Sequence, residues 1–199
     1  FINFNLFPAL FPHDEKSGGT ISGIHFLQWT SSYQDRDWHN MPVSDCSVVL
    51  QRVATLEKTM LSDKKGYFTF FKNCGRLVGG SIAQGHQQMG FTTVQPKRSL
   101  QLEKFSEGER MSAVDFMLKK NPDNLLLKDF GKVVLLVPFF MRRPYNMMLV
   151  VKDDTKEFLH QLDDAEIEQA AAGWKVGIRI MRSILNRLGK SIAYNIIAD

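Results

Sequence analysis

Residues 73–88 read Asn73-Cys-Gly-Arg-Leu-Val-Gly-Gly-Ser-Ile-Ala-Gln-Gly-His-Gln-Gln88. On its N-terminal side stands an aromatic run, 67–72 (YFTFFK), which has the composition of a core strand. On its C-terminal side the chain continues through 81–91 (SIAQGHQQMGF), read as the next strand. The glycines of 73–80 form the turn between the two. A Gly-rich turn lets backbone N–H groups approach phosphate oxygens closely, and Asn73, Ser81 and Gln88 add neutral donors. Strand alternation puts His86 on one face with Gln84 and Gln88. An imidazole nitrogen is a competent nucleophile at neutral pH, and amide and hydroxyl donors stabilise charge developing on an attacked phosphate. Local composition alone favours a plainer reading: a glycine-rich hairpin carrying a half-buried, hydrogen-bonded histidine.

Working outward, residues 1–12 (FINFNLFPALFP) are extended and partly buried, and 13–19 form a polar turn. Residues 20–31 read as a strand buried on both faces, and 32–43 as a loop. Ser44 is the expected N-cap of a helix running to about Leu61, with Val49, Val53, Leu56 and Met60 at helical spacing. The region 96–130 reads as a linker with a short helix near 111–119; its 97–110 stretch is a solvated connector. Strands follow at 133–139 and 146–151, joined through 141–145. Asp163 or Asp164 caps a long helix whose apolar stripe is Ile167, Ala171, Trp174, Ile178, Met181 and Leu185, and which Gly189 ends. A last strand occupies 191–198. The expected class is α+β, mainly antiparallel sheet with helices packed on it, in two related halves: 1–95, a linker or insertion at 96–130, and 131–199.

The 199 residues carry a net charge of +4 without long basic blocks, which points away from nucleic acid and suits a polyanionic small molecule. No apolar run approaches a membrane span. Cys46 and Cys74 form no CxxC pair, so a reducing cytoplasm is the simplest setting. The chain starts at Phe1 without a methionine and reads as an excerpt of a longer protein. His13, His25, His39 and His160 read as lone surface or edge histidines. Arg142 and Arg143, in a turn, read as a solvated pair or as a clamp for a sugar phosphate or a neighbouring subunit, and Lys72 is a candidate phosphate-assisting cation.

The 73–88 stretch resembles the active-site signature of galactose-1-phosphate uridylyltransferases, in the histidine-triad superfamily. That signature runs Asn, a Gly-rich turn ending Gly-x-Ser, then His-Pro-His-x-Gln; Asn73, Gly79, Ser81, His86 and Gln88 fall on matching positions. The resemblance implies a histidine-triad-like fold and a nucleotidyltransferase in which His86 takes the nucleotidyl group covalently. It implies that Asn73, Ser81 and Gln88 hold phosphates, and that Asn5 and Phe7, in a segment similar to the family's Asn-x-Phe-x-Ala-Leu, line the nucleoside pocket; Gly79, Gly80 and Gln84 are further candidate substrate-binding residues. Residues 23–29, 137–146 and 191–197, the last with Tyr194-Asn195, resemble further family strands. The implied partners are a nucleotide or nucleotide sugar with a sugar phosphate or phosphate; a homodimer is compatible with it. Two departures bear on metal and ligand. Gln84 stands where zinc-containing members have a ligand histidine, Gln34 lies where a loop ligand falls, and the N-terminal CxxC is missing, so no zinc and no other cofactor is expected. Leu6 replaces a ribose-binding carboxylate. Phosphorylase chemistry and a binding module without catalysis remain as alternatives.

Overall fold

The computed structural model describes residues 1–10, 23–62, 66–141 and 143–198. The turn read at 13–19, His13 and Arg142 lie outside these residues. The described elements are β1 (Ile2–Phe4), β2 (Gly23–Trp29), α1 (Val43–Ser62), β3 (Tyr67–Cys74), β4 (His86–Thr92), α2 (Lys97–Glu109), α3 (Ala113–Lys120), β5 (Leu126–Asp129), β6 (Val133–Leu136), β7 (Met148–Val151), α4 (Asp164–Arg187) and β8 (Tyr194–Ala198). They build a five-stranded sheet in the order β1-β2-β4-β3-β8 and a three-stranded sheet β5-β6-β7. All pairings are antiparallel. This is the expected α+β class.

Alternation along β2, β3 and β4 sorts the large sheet into two faces. Phe26, Phe70, Met89 and Phe91 point inward with Leu50 and Val53 of α1 and Ile167, Ala171 and Ile178 of α4, forming one core. Trp174 of α4 stacks on Phe70 with ring centroids 5.1 Å apart and meets Trp38 edge-on at 5.2 Å. Such ring pairs add about 1 kcal/mol each beyond the area they bury. Both helices therefore cover the same face, and the opposite face is left for other work.

Helix α4 starts where the sequence placed it. The Asp163 side chain accepts from the Glu166 N–H at 2.9 Å, and Glu166 accepts from the Asp163 N–H at 2.8 Å. This reciprocal cap satisfies two N–H groups that the first turn otherwise leaves open. Replacing Asp163 by Ala should lower stability by about 1 kcal/mol, read as a lower urea midpoint at unchanged slope.

Several boundaries differ from the sequence reading. Helix α1 begins at Val43, and the Pro42 carbonyl accepts its first bond from the Cys46 N–H, so Ser44 lies inside the first turn and is no cap. Strand β3 continues through Asn73 and Cys74 because β8 pairs with both. Strand β4 begins at His86, leaving 81–85 as loop. The 97–110 connector is instead helix α2. It buries no residue, but Phe105 packs edge-on against Phe116 of α3 at 5.1 Å. Strand β5 escaped the sequence reading because it is a short, exposed edge. The last strand of the 131–199 range completes the larger sheet beside β3.

Both cysteines are free thiols. Cys46 is fully buried, and burial pushes its thiol up to about 11. Since thiolate is the reactive form, Cys46 in a Cys74→Ser variant should resist alkylation at pH 8 until the protein unfolds, as read by mass. No helix among the described residues is long and apolar enough to cross a membrane.

Candidate functional site

The outer face of the large sheet gathers the residues of interest. His86 lies opposite Trp29, and Gln88 lies opposite Leu27 on one side and Phe71 on the other. Asn73, two residues beyond Phe71, shares their face. His86, Gln88 and Asn73 thus come together on adjacent strands. Gln84 does not join them by alternation, because it precedes β4. Its side-chain amide instead donates to the Ser31 carbonyl at 3.0 Å, tying the loop before β4 to the loop after β2.

Gln84 contributes through its backbone. The His86 Nδ1 lies 2.8 Å from the Gln84 carbonyl oxygen. A carbonyl oxygen only accepts, so Nδ1 carries the proton and donates. This network assignment leaves Nε2 with its lone pair. The ring is 4% exposed and is flanked by Trp29, centroid to centroid 5.9 Å at an interplanar angle of 56°. A cleft of about 640 Å³ lies at the end of β2, with Trp29, Gln84, Ser31, Asp45 and Arg52 among its walls; it reaches Trp29 and Gln84 on either side of His86, but His86 itself does not line it.

A second line of polar contacts runs along the same face. The Ala9 N–H donates to His25 Nδ1 at 3.0 Å, so Nε2 holds the proton and donates to Gln88 Oε1 at 2.9 Å. His25 is 6% exposed, which corrects its reading as a lone surface or edge histidine. Its place beside Leu27 on an alternating strand is the signal that could have shown this. Asn5 Oδ1 accepts from the Phe7 N–H at 3.0 Å, and its Nδ2 stands 3.4 Å from His25 Nε2. Asn5 therefore borders the His25–Gln88 pair. Phe7 is 88% exposed.

The glycine turn is wound tightly after β3. Gly75 and Gly79 hold φ of 94° and 87°, a left-handed conformation that side chains rarely accept. The Gly79 and Gly80 N–H groups donate to the carbonyls of Arg76 and Gly75 and so close the turn on itself. Those two N–H groups are committed internally. The exposed Ser81, Ile82 and Ala83 follow, and their N–H groups take no partner among the described residues. Asn73 Oδ1 accepts from Asn195 Nδ2 at 2.6 Å. The sequence places Asn195 only within the last strand; β8 sets it directly against Asn73.

Lys72 points the other way. It is 2% exposed on the inner face, paired with Asp37 Oδ2 at 2.8 Å, and donates to the His86 carbonyl at 2.9 Å. Its reading as a phosphate-assisting cation is thereby corrected. Sharing a face with Phe68 and Phe70, it was bound to point inward. His39 is half-buried with Nδ1 unpartnered among the described residues, and burial followed by the Arg182 charge lowers its pKa. His160 is engaged by the buried Glu57 at 2.8 Å.

The Gln84 amide nitrogen is spent on a carbonyl, and no group of three His, Cys, Asp or Glu among the described residues could hold a metal.

Several solved structures are similar to the chain. A uridylyltransferase superposes with a TM-score of 0.85 at 19% identity, over 99% of this chain and 66% of its own. An ADP-glucose phosphorylase from Arabidopsis thaliana, solved with bound ADP-glucose, reaches 0.80 at 21% identity, over 98% and 63%. A GalT-like protein from Arabidopsis thaliana reaches 0.79 at 20% identity, over 98% and 64%. The chain has the α+β fold of these uridylyltransferase and GalT-like structures, and spans just under two thirds of the length of each. No protein-family model and no curated protein matches the sequence.

Proposed function

We propose that the chain carries the nucleophilic half of a nucleotidyltransferase acting on nucleotide sugars and sugar phosphates. The observation that carries the reading is the His86 Nδ1–H held by the Gln84 carbonyl, which presents Nε2 as the free nitrogen. In the first step Nε2 attacks the α-phosphorus of a nucleotide sugar. A nitrogen–phosphorus bond forms, the bond to the bridging oxygen breaks, and that oxygen leaves with the sugar phosphate. In the second step a phosphate oxygen of the acceptor attacks the same phosphorus and returns Nε2. Asn73 and Gln88 flank the ring to hold the phosphate oxygens, with Ser81 and the N–H groups of 81–83 supplying donors from the loop. Asn5 borders the nucleoside side. Because the ring is 4% exposed, the donor reaches Nε2 only when its cover shifts, and Trp29 is the aromatic group beside it.

The likeness to a uridylyltransferase supports a sugar 1-phosphate as acceptor. The likeness to an ADP-glucose phosphorylase supports a second reading, with inorganic phosphate in that role. Two free thiols accord with a cytoplasmic setting. Presenting UDP-glucose and ADP-glucose with either galactose 1-phosphate or inorganic phosphate separates the readings. A new nucleotide sugar supports transfer, release of nucleoside diphosphate supports phosphorolysis, and neither product from any combination overturns both.

A further inference from the structure

We infer that the buried Lys72–Asp37 pair is a positioning device for His86, acting through the backbone from the opposite face of the sheet; the inference deepens the nucleophile reading above and rests on it. Three consecutive carbonyls, those of Gln84, Gly85 and His86, each receive a different donor. The His86 Nδ1–H takes the first at 2.8 Å, the Thr30 N–H the second at 2.9 Å, and the Lys72 ammonium the third at 2.9 Å. The segment that sets the direction of Nε2 is thus held at every peptide.

The third contact is the unusual one. Lys72 is 2% exposed, and an ammonium so far from water needs a counter-charge. Asp37 supplies it at 2.8 Å, with its other oxygen accepting from the Trp38 N–H at 2.9 Å. The loop carrying Asp37 is braced by the Asp37 N–H donating to Asn40 Oδ1 at 2.8 Å. Gly85 lies directly on this carboxylate: a β-carbon there would stand 2.6 Å from Asp37 Cγ. One carboxylate therefore holds the lysine and forms the floor under the residue between Gln84 and His86.

The pair touches no reacting atom, so its test reads ring geometry apart from turnover. The double variant Lys72→Met/Asp37→Asn removes both charges together, which spares the fold an orphaned ion and keeps an amide acceptor for the Trp38 N–H. Long-range proton–nitrogen NMR on the histidine rings reports the tautomer of His86. Nδ1–H is expected in the wild type, with a mixture rich in Nε2–H in a cooperatively melting double variant. Formation of the His86 adduct is expected to slow on the order of 100-fold. Gly85→Ala provides a second route, since its methyl wedges the loop away from Asp37 without touching a charge, and the same tautomer change is expected. Retention of the wild-type tautomer in both variants overturns the inference, as does a wild type already in the Nε2–H form. A tautomer change in the variants, in a protein whose wild type forms no nucleotidyl adduct, upholds the positioning role and removes the nucleotidyl-transfer reading instead.

Discussion

Replacing His86 by Gln should abolish nucleotidyl transfer while leaving the fold in place. The glutamine amide is neutral, close in size, and able to donate to the Gln84 carbonyl that now receives His86 Nδ1. The inner-face ladder of Phe70, Met89 and Phe91 is untouched, since His86 points to the other side. The melting temperature should therefore stay within a few degrees of the wild type. A glutamine has no nucleophilic nitrogen, so the covalent path is closed and turnover should fall by about a thousandfold or more. Steady-state turnover of each nucleotide sugar, beside a thermal melt, checks the result. Wild-type turnover by His86→Gln removes the covalent role.

The second large effect is on stability. Asp37→Asn alone should destabilise the protein by about 3–5 kcal/mol, because it strips the counter-charge from an ammonium that is 2% exposed. The cost lies in the stranded lysine, more than in the lost attraction. Adding Lys72→Met to Asp37→Asn should recover most of that loss, since two charges leave the interior together. Urea unfolding of the two single variants and the double variant forms the cycle that measures this. Near-additive losses, with the double variant the least stable of the three, would contradict the account.

The legible and hidden parts of the molecule divide along a physical line. The aromatic richness of 67–72 and the aspartate that caps α4 are local signals. A strand or helix carrying them folds in much the same way whatever surrounds it, so both were readable. The glycine turn and His86 beside Gln88 were readable for the same reason: alternation is a property of the strand itself. Tertiary partners decide what was missed. Strand β3 extends through Asn73 only because β8 pairs with it, from more than a hundred residues away in sequence. The loop before β4 is held out of the sheet by bonds from Thr30 and from Gln84 to the residues after β2, which left Gln84 off the shared face. Strand β5, exposed along its whole length, carries too little apolar pattern to stand out. Lys72 and His25 are a different case. Their alternation with Phe70 and Leu27 already fixed their direction, and the charge or ring nitrogen drew the reading toward solvent instead.

The wild type and His86→Gln, each mixed with UDP-glucose or ADP-glucose and no acceptor, are best compared by intact-protein mass. The expected result is a gain of one nucleoside monophosphate on the wild type alone, located by peptide mapping to His86. Unchanged mass with every donor, or an adduct that His86→Gln still forms, would contradict a nucleophile at this position.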